Sequence, residues 1–305
     1  MAQAETGTLA AAGYEIEHER VAGTVSGPTL VLLHEGLGCV GMWRRFPALL
    51  AHATGLAVFS YSRPGYGRSS SIPLPRSLDF HTRDALDVLP QVLDAAGIGD
   101  CLLIGHSDGA SIAVVYAGAV ADRRVRALVL MAPHVLTESK TVMNIAAAKR
   151  SFEATDLRDR LARYHGANVD CAFSGWCDAW LDPEFRRWDI THWLPNIHVP
   201  VLTVRGNDDA YNTAVHVERI AALVGGPVTR VDVQDCGHAP HLEQGERVVR
   251  AVAEFVRAVG SWVDGCWTEG ANLFAPSVQH QKSPHCGPRR TQSNLLGLEF
   301  RAPHP

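Results

Sequence analysis

Short, uninterrupted apolar runs recur along the chain, each closing in a cluster of glycine and polar residues. "TLVLLHE" (29–35), "LAVFSYSR" (56–63), "CLLIGHS" (101–107), "VRALVLMAP" (125–133) and "VPVLTVRG" (199–206) are of this kind, and "VTRVDVQD" (228–235) is a weaker sixth. A run apolar on both faces predicts a strand covered by helices on each side, the setting of a parallel sheet. "YEIEHERVAG" (14–23) alternates instead and predicts the opening strand of a hairpin. Helical periodicity falls between the runs. Residues 81–97 carry Leu86, Leu89, Val92, Leu93 and Ala96 along one face, with Gly97 to end the helix and Pro90 predicting a kink or a late start. Residues 246–260 align Val248, Val252, Phe255, Val256 and Val259 on one stripe. Strand–helix alternation of this sort predicts an α/β fold with a mostly parallel sheet and helices on both faces.

Two segments break the rhythm. Residues 135–198 hold helical patterns, no clear strand, and four tryptophans, Trp176, Trp180, Trp188 and Trp193. They read as a helical insertion between two strands. After Gly260 the chain is rich in Pro, Ser, Gly and His without periodicity, which predicts a disordered or loosely attached tail that contributes no chemistry. The expected organisation is therefore a first core part (1–134), the insertion (135–198), a second core part (199–260) and the tail (261–305).

Composition narrows the partners. At 305 residues with 46% hydrophobic and 20% charged residues, the chain has the make-up of a globular protein with a sizeable core. A formal net charge of -4 gives no basic field for nucleic acid or anionic membrane. The N-terminus lacks a signal-peptide pattern, and no apolar stretch approaches the roughly 18 residues of a membrane span. Seven cysteines, an odd number without a C-x-x-C pair, suggest neither a zinc site nor a disulfide framework and fit a reduced, cytoplasmic setting. "HAPH" (238–241) has no carboxylate or cysteine at ligand spacing, so no metal and no cofactor is expected. The partner is a small-molecule substrate; the oligomeric state is left open.

Reactive groups of an open parallel sheet gather at the carboxyl ends of its strands. There the chain places His34-Glu35-Gly36-Leu37-Gly38, then Gly105-His106-Ser107-Asp108-Gly109, then Gly206-Asn207-Asp208-Asp209, then Cys236-Gly237-His238. A serine, a carboxylate and a histidine thus follow one another in chain order. With the Gly-x-Ser-x-Gly turn between a strand and a helix, this resembles the alpha/beta-hydrolase superfamily over about residues 14–260. "FSYSRPGYGRSS" (59–70) matches a further loop of that superfamily.

The resemblance implies an eight-stranded-type sheet with a helical cap at 135–198 and an active site built from Ser107 as nucleophile, His238 as base and a carboxylate. Its pattern places that carboxylate at Asp209, with adjacent Asp208 as the alternative. It implies backbone N–H donors for an oxyanion at Gly36 and Asp108. Here the sequence departs from the usual His-Gly pair, having Glu35 after His34. A carboxylate there opposes an oxyanion unless neutralised, and Arg63, at the end of the next strand in the sheet, is the expected partner, ahead of a cationic substrate group. The cap implies a pocket ceiling, with Trp176 and Trp180 as candidate lining residues. His106 and His241 are read as packing or hydrogen-bonding residues.

Hydrolysis of a small ester, thioester or lactone through an acyl-enzyme is the leading expectation. Carbon–carbon hydrolysis of ring-cleavage products and cofactor-free haloperoxidase chemistry are the alternatives, the former disfavoured by Ala239 where an aromatic residue commonly follows the histidine. A hydrolase-fold binding protein without turnover is the contrasting class.

Overall fold

A computed structural model of the chain describes residues 4–263. Eight strands form one sheet in the order β1-β2-β4-β3-β5-β6-β7-β8. They are β1 (Ala4–Ala11), β2 (Tyr14–Val21), β3 (Thr29–Leu33), β4 (Val58–Tyr61), β5 (Cys101–His106), β6 (Val125–Met131), β7 (Val201–Gly206) and β8 (Val228–Val233). Pairing is antiparallel for β1 with β2 and for β2 with β4, and parallel from β4 to β8. The hairpin foreseen at 14–23 thus has its other arm in Ala4–Ala11, joined by Ala12 and Gly13 with φ of 52° and 79°. Both positive φ angles belong to the two-residue turn that matches strand twist.

The apolar runs are buried on both faces, and their side chains alternate between two cores. Val31, Leu33, Leu103, Leu128 and Leu130 point to one side, packing against α3 (Leu89–Ala95) and α4 (Asp108–Ala119). Leu30, Leu32, Leu102, Ile104, Val129 and Met131 point to the other, against α1 (Phe46–Thr54) and α10 (Gly245–Val263). Each such Leu, Ile or Val side chain contributes about 1.5–3 kcal/mol of transfer free energy, so the central strands anchor both cores. α10 buries Val248, Val252, Phe255 and Val259, the stripe that its sequence shows. It continues through Gly260 to Val263, where the sequence predicts that a tail has begun; residues 264–305, the rest of that tail, lie outside the described residues.

Pro90 has the effect its position foretells. The segment is broken into α2 (Phe80–Arg83), a π-helical turn at Asp84–Val88, and α3, with Pro90 in the first turn of α3. Proline offers no N–H to the preceding turn, so it is tolerated where a helix starts anew.

Between β6 and β7 the chain forms α5 (Ser139–Ala154), α6 (Leu157–His165), α7 (Val169–Leu181) and three short 3-10 turns. This insertion has a core of its own around Ile145, Leu161, Phe173, Trp176, Trp180 and Phe185, shared with Leu37, Phe80 and Tyr211 of the sheet domain. α8 (Val215–Leu223) and the short α9 (Pro240–Glu243) complete the described helices.

Candidate active site

β5 ends in a backbone turn that sets Ser107 at φ 52° and ψ -115°, a conformation that L-residues avoid. What makes room for it is the pair of glycines. A Cβ on Gly109 would stand 1.9 Å from the Leu33 carbonyl oxygen, and one on Gly105 2.4 Å from the Gly109 carbonyl oxygen. The Ser107 N–H donates to the Met131 carbonyl at 2.9 Å, tying the turn to β6.

The loop after β8 delivers His238 to this turn. Ser107 Oγ lies 3.0 Å from His238 Nε2, and His238 Nδ1 lies 2.8 and 2.9 Å from the two carboxylate oxygens of Asp209, after β7. Of the two adjacent acids, Asp209 is buried and Asp208 exposed. Asp209 Oδ1 also accepts the N–H groups of Tyr211 and Asn212, which fixes its orientation. Burial opposes ionisation of Asp209, but the charge and hydrogen bond of His238 outweigh it and hold the carboxyl down at about 2. Burial likewise works against a charged His238, and Asp209 overcomes it, so the imidazole is raised above its ordinary value. Such a line can take a proton from the hydroxyl and hold it on the imidazole.

Asp108 opens α4, so its N–H belongs to the first turn, which has no acceptor within the helix. Its carboxylate is turned away, with Oδ1 3.2 Å from Nε2 of the buried His81. Despite burial, His81 and Arg63 keep that carboxyl at about 2. Gly36 lies on the facing loop after β3, against the insertion: a Cβ there would stand 2.1 Å from Trp176 Nε1.

Glu35 and Arg63 do not pair through their side chains. Arg63, fully buried, binds Asp84 Oδ2 at 2.9 Å and gives Nη2–H to the backbone carbonyl of Glu35 at 3.0 Å. It is thereby attached to the loop but not to the carboxylate. Asp84, within the π-helical turn, reaches the guanidinium first. The Glu35 carboxylate turns instead to His106, with Oε2 3.3 Å from Nδ1. Burial would raise the Glu35 carboxyl, yet His106 holds it well below the carboxylate range.

A cavity of about 60 Å³ opens on Ser107 and His238. Its lining is mainly apolar, with Leu37, Met42, Ile145, Trp176, Trp180, Tyr211 and Leu242, and its polar members include Glu35, His106, Asp108, His134, Thr141 and His241. Trp176 and Trp180 therefore face the cavity as well as belonging to the insertion's core, whereas Trp188, packed against Trp180 and that core, and Trp193, packed against the sheet's core, do not line it. His134 stands beside the site, its ring 5.6 Å from that of His238 and 5.4 Å from Trp180. Sequence reasoning missed His134, Thr141, Tyr211 and Met42, which carry no motif; only the position of His134, at the end of β6, offered a signal.

Comparison with known proteins identifies the fold. A family model of the alpha/beta hydrolase fold matches residues 28–193. The chain is 27% identical over 263 residues to the carboxylesterase YbfK of Bacillus subtilis, spanning 78% of this chain and 83% of that one. It is 30% identical over 261 residues to the 2-hydroxy-6-oxononadienedioate/2-hydroxy-6-oxononatrienedioate hydrolase of Burkholderia vietnamiensis, spanning 75% and 86%. Its fold superposes on a thermophilic esterase from Thermogutta terrifontis with a TM-score of 0.64 at 22% identity, covering 84% of this chain and 99% of that structure.

Proposed function

The chain belongs to the alpha/beta-hydrolase family, and from that footing we propose that it is a serine hydrolase cleaving a small carboxylic ester, thioester or lactone through an acyl-enzyme. The observation that carries the reading is the hydrogen-bonded line from Ser107 Oγ through His238 to buried Asp209 at the floor of a mainly apolar cavity. In this reading His238 takes the Ser107 proton as Oγ attacks the acyl carbon. Asp209 holds the imidazole with Nδ1 protonated and stabilises the imidazolium that forms. The N–H groups of Asp108 and Gly36 receive the oxyanion. His238 then returns the proton to the leaving group, and a water activated by the same imidazole releases the acid. The helical insertion acts as the cap over this chemistry, with Trp176 and Trp180 as its ceiling.

A second reading, carbon–carbon bond hydrolysis, draws support from the relative in Burkholderia vietnamiensis. That relative's name denotes a dicarboxylate substrate. The described lining of this cavity holds no lysine or arginine to pair with the carboxylates of a dianion, which supports a neutral ester. Labelling with a fluorophosphonate and assay on short p-nitrophenyl acylates test the proposal. The wild type should label and turn over, and Ser107→Ala should do neither, with kcat lower by several orders of magnitude and an unchanged circular dichroism spectrum. Retained turnover in Ser107→Ala removes the serine from the chemistry.

A further inference from the structure

Three of the buried histidines near the site have one hydrogen-bond donor and one acceptor at their ring nitrogens. His165 accepts the Gly67 N–H at Nδ1 and lies 2.9 Å from the Leu37 carbonyl at Nε2. His34 accepts the Arg63 N–H at Nε2 and faces the Glu35 carbonyl with Nδ1. His216 accepts the Val135 N–H at Nδ1 and faces the Glu138 carboxylate with Nε2. A neutral imidazole, with one N–H and one lone pair, satisfies each of these settings.

His106 is placed otherwise. Its Nδ1 faces the Glu35 carboxylate at 3.3 Å, and its Nε2 faces the backbone carbonyl oxygen of His238 at 2.7 Å. Both partners are acceptors only. A neutral ring would satisfy one and set its remaining lone pair against the lone pairs of the other, in a place where water is nearly excluded, His106 being 2% exposed. The other groups around the ring supply no alternative. His241 and His238 lie with ring centroids at 4.8 and 5.3 Å and Trp43 at 6.5 Å, and Arg44 acts further out, on His241.

We propose that Glu35 and His106 form a second carboxylate–imidazolium pair, in which His106 carries protons on both ring nitrogens and holds the His238 main chain from behind. The pair joins the loop that presents Gly36 to the loop that presents His238, so that oxyanion donor and base keep one spacing. It also removes the conflict of a carboxylate beside a developing oxyanion. Glu35 and His106 together are neutral, so neither the oxyanion nor the imidazolium of His238 meets a net charge. Gly38 is what lets the carboxylate fold back onto the loop, since a Cβ there would stand 2.5 Å from Glu35 Oε2. Glu35 and His106 are positioning residues in this scheme. Only this kinetic role rests on the serine-hydrolase reading; the pairing itself does not.

The protonation is read directly on resting enzyme labelled with 15N-histidine, without substrate. At about pH 8 a solvated histidine, titrating near 6.5, is neutral. One ring should nevertheless show two protonated nitrogens, contact Trp43 and His241 in NOE spectra, and revert to a single proton in Glu35→Gln. A singly protonated His106 in the wild type overturns the proposal, as does a doubly protonated His106 that persists unaltered in Glu35→Gln. The positioning role is read separately. Glu35→Gln and His106→Gln should lower kcat for a neutral p-nitrophenyl ester about 10- to 100-fold, as displaced catalytic groups do, with KM nearly constant. Unchanged kcat in both variants overturns that role. An enzyme inert to every ester would sink the hydrolase reading while the NMR result still decides the pair.

Discussion

Asp208 points to solvent, whereas Asp209, 1% exposed, spends its carboxylate on His238 and two backbone N–H groups. Their amidation should therefore have unequal effects. Asp209→Asn removes the acceptor that fixes the His238 tautomer, and kcat should fall about 10,000-fold. Asp208→Asn, a surface change, should leave kcat within about twofold. The residual activity of Asp209→Asn carries a second signature. As the proposed base, His238 works when neutral, so kcat/KM should rise with pH through its titration. Asp209 raises that titration against the effect of burial. With Asp209 gone burial remains, and the acid limb of the profile should move to lower pH. A limb that stays in place would show that Asp209 does not govern the imidazole.

Elements differ in how plainly the sequence announces them. β3 to β7 are legible because both faces are largely buried and most of their positions are apolar. β1 is not: its residues, AETGTLAA, are mostly exposed and held by pairing to β2, which leaves no pattern to read. The ends of β5, β7 and β8 bring Ser107, Asp209 and His238 together as chain order implies. The partner of Glu35 is a different matter. Glu35 and His106 are 71 residues apart, and nothing local in either segment favours that contact over Arg63, whose guanidinium is taken by Asp84. Contacts between elements can be tested at Gly36 and α7. Gly36→Ala would drive a methyl group against the Trp176 indole, which stands 2.1 Å from its place. The loop must yield, and kcat should fall about 10- to 100-fold with little change in KM. Adding Trp176→Ala should recover part of the loss by vacating that space. A double variant no better than Gly36→Ala alone would mean that the loop, not the indole, bears the strain.

For the whole molecule, buried histidines set the response to mild acid. Burial pushes His34, His134 and His241 well below their ordinary value, so each is neutral when folded and takes a proton near 6.5 when unfolded. As pH falls below about 6.5 the unfolded chain binds more protons, and stability is lost. His165 is likewise lowered by burial, whereas His238, raised, and His106, in the pair proposed above, work the other way, leaving a net of two such groups that destabilise in acid. Two protons amount to up to about 2.7 kcal/mol per pH unit. Asp108, Asp209 and Glu138, held at about 2, contribute stability above the ordinary carboxylate range and lose it only as pH falls further toward 2. Scanning calorimetry at constant ionic strength should thus show Tm falling by several degrees between about pH 7.5 and 5.5. A flat or rising Tm would contradict the account.

Two of the insertion's moorings belong to different parts of the site. At the start of α5, Lys140 Nζ donates to the Asp209 carbonyl at 2.6 Å and Thr141 Oγ1 to the Tyr211 carbonyl at 2.6 Å. At the junction of α6 and α7, His165 links Gly67 to Leu37, and Asn168 Nδ2 donates to the Ser69 carbonyl at 2.6 Å. The first mooring touches the loop of the acid, the second the neighbourhood of Gly36. If the insertion is the proposed cap, substrate range in this chain is therefore not a cartridge that can be swapped by exchanging residues 135–198 with those of a relative. A chimera made that way inherits a foreign grip on Asp209 and on the Gly36 loop. It should lose kcat even on substrates that both parents accept, and regain it when Lys140, Thr141, His165 and Asn168 are restored.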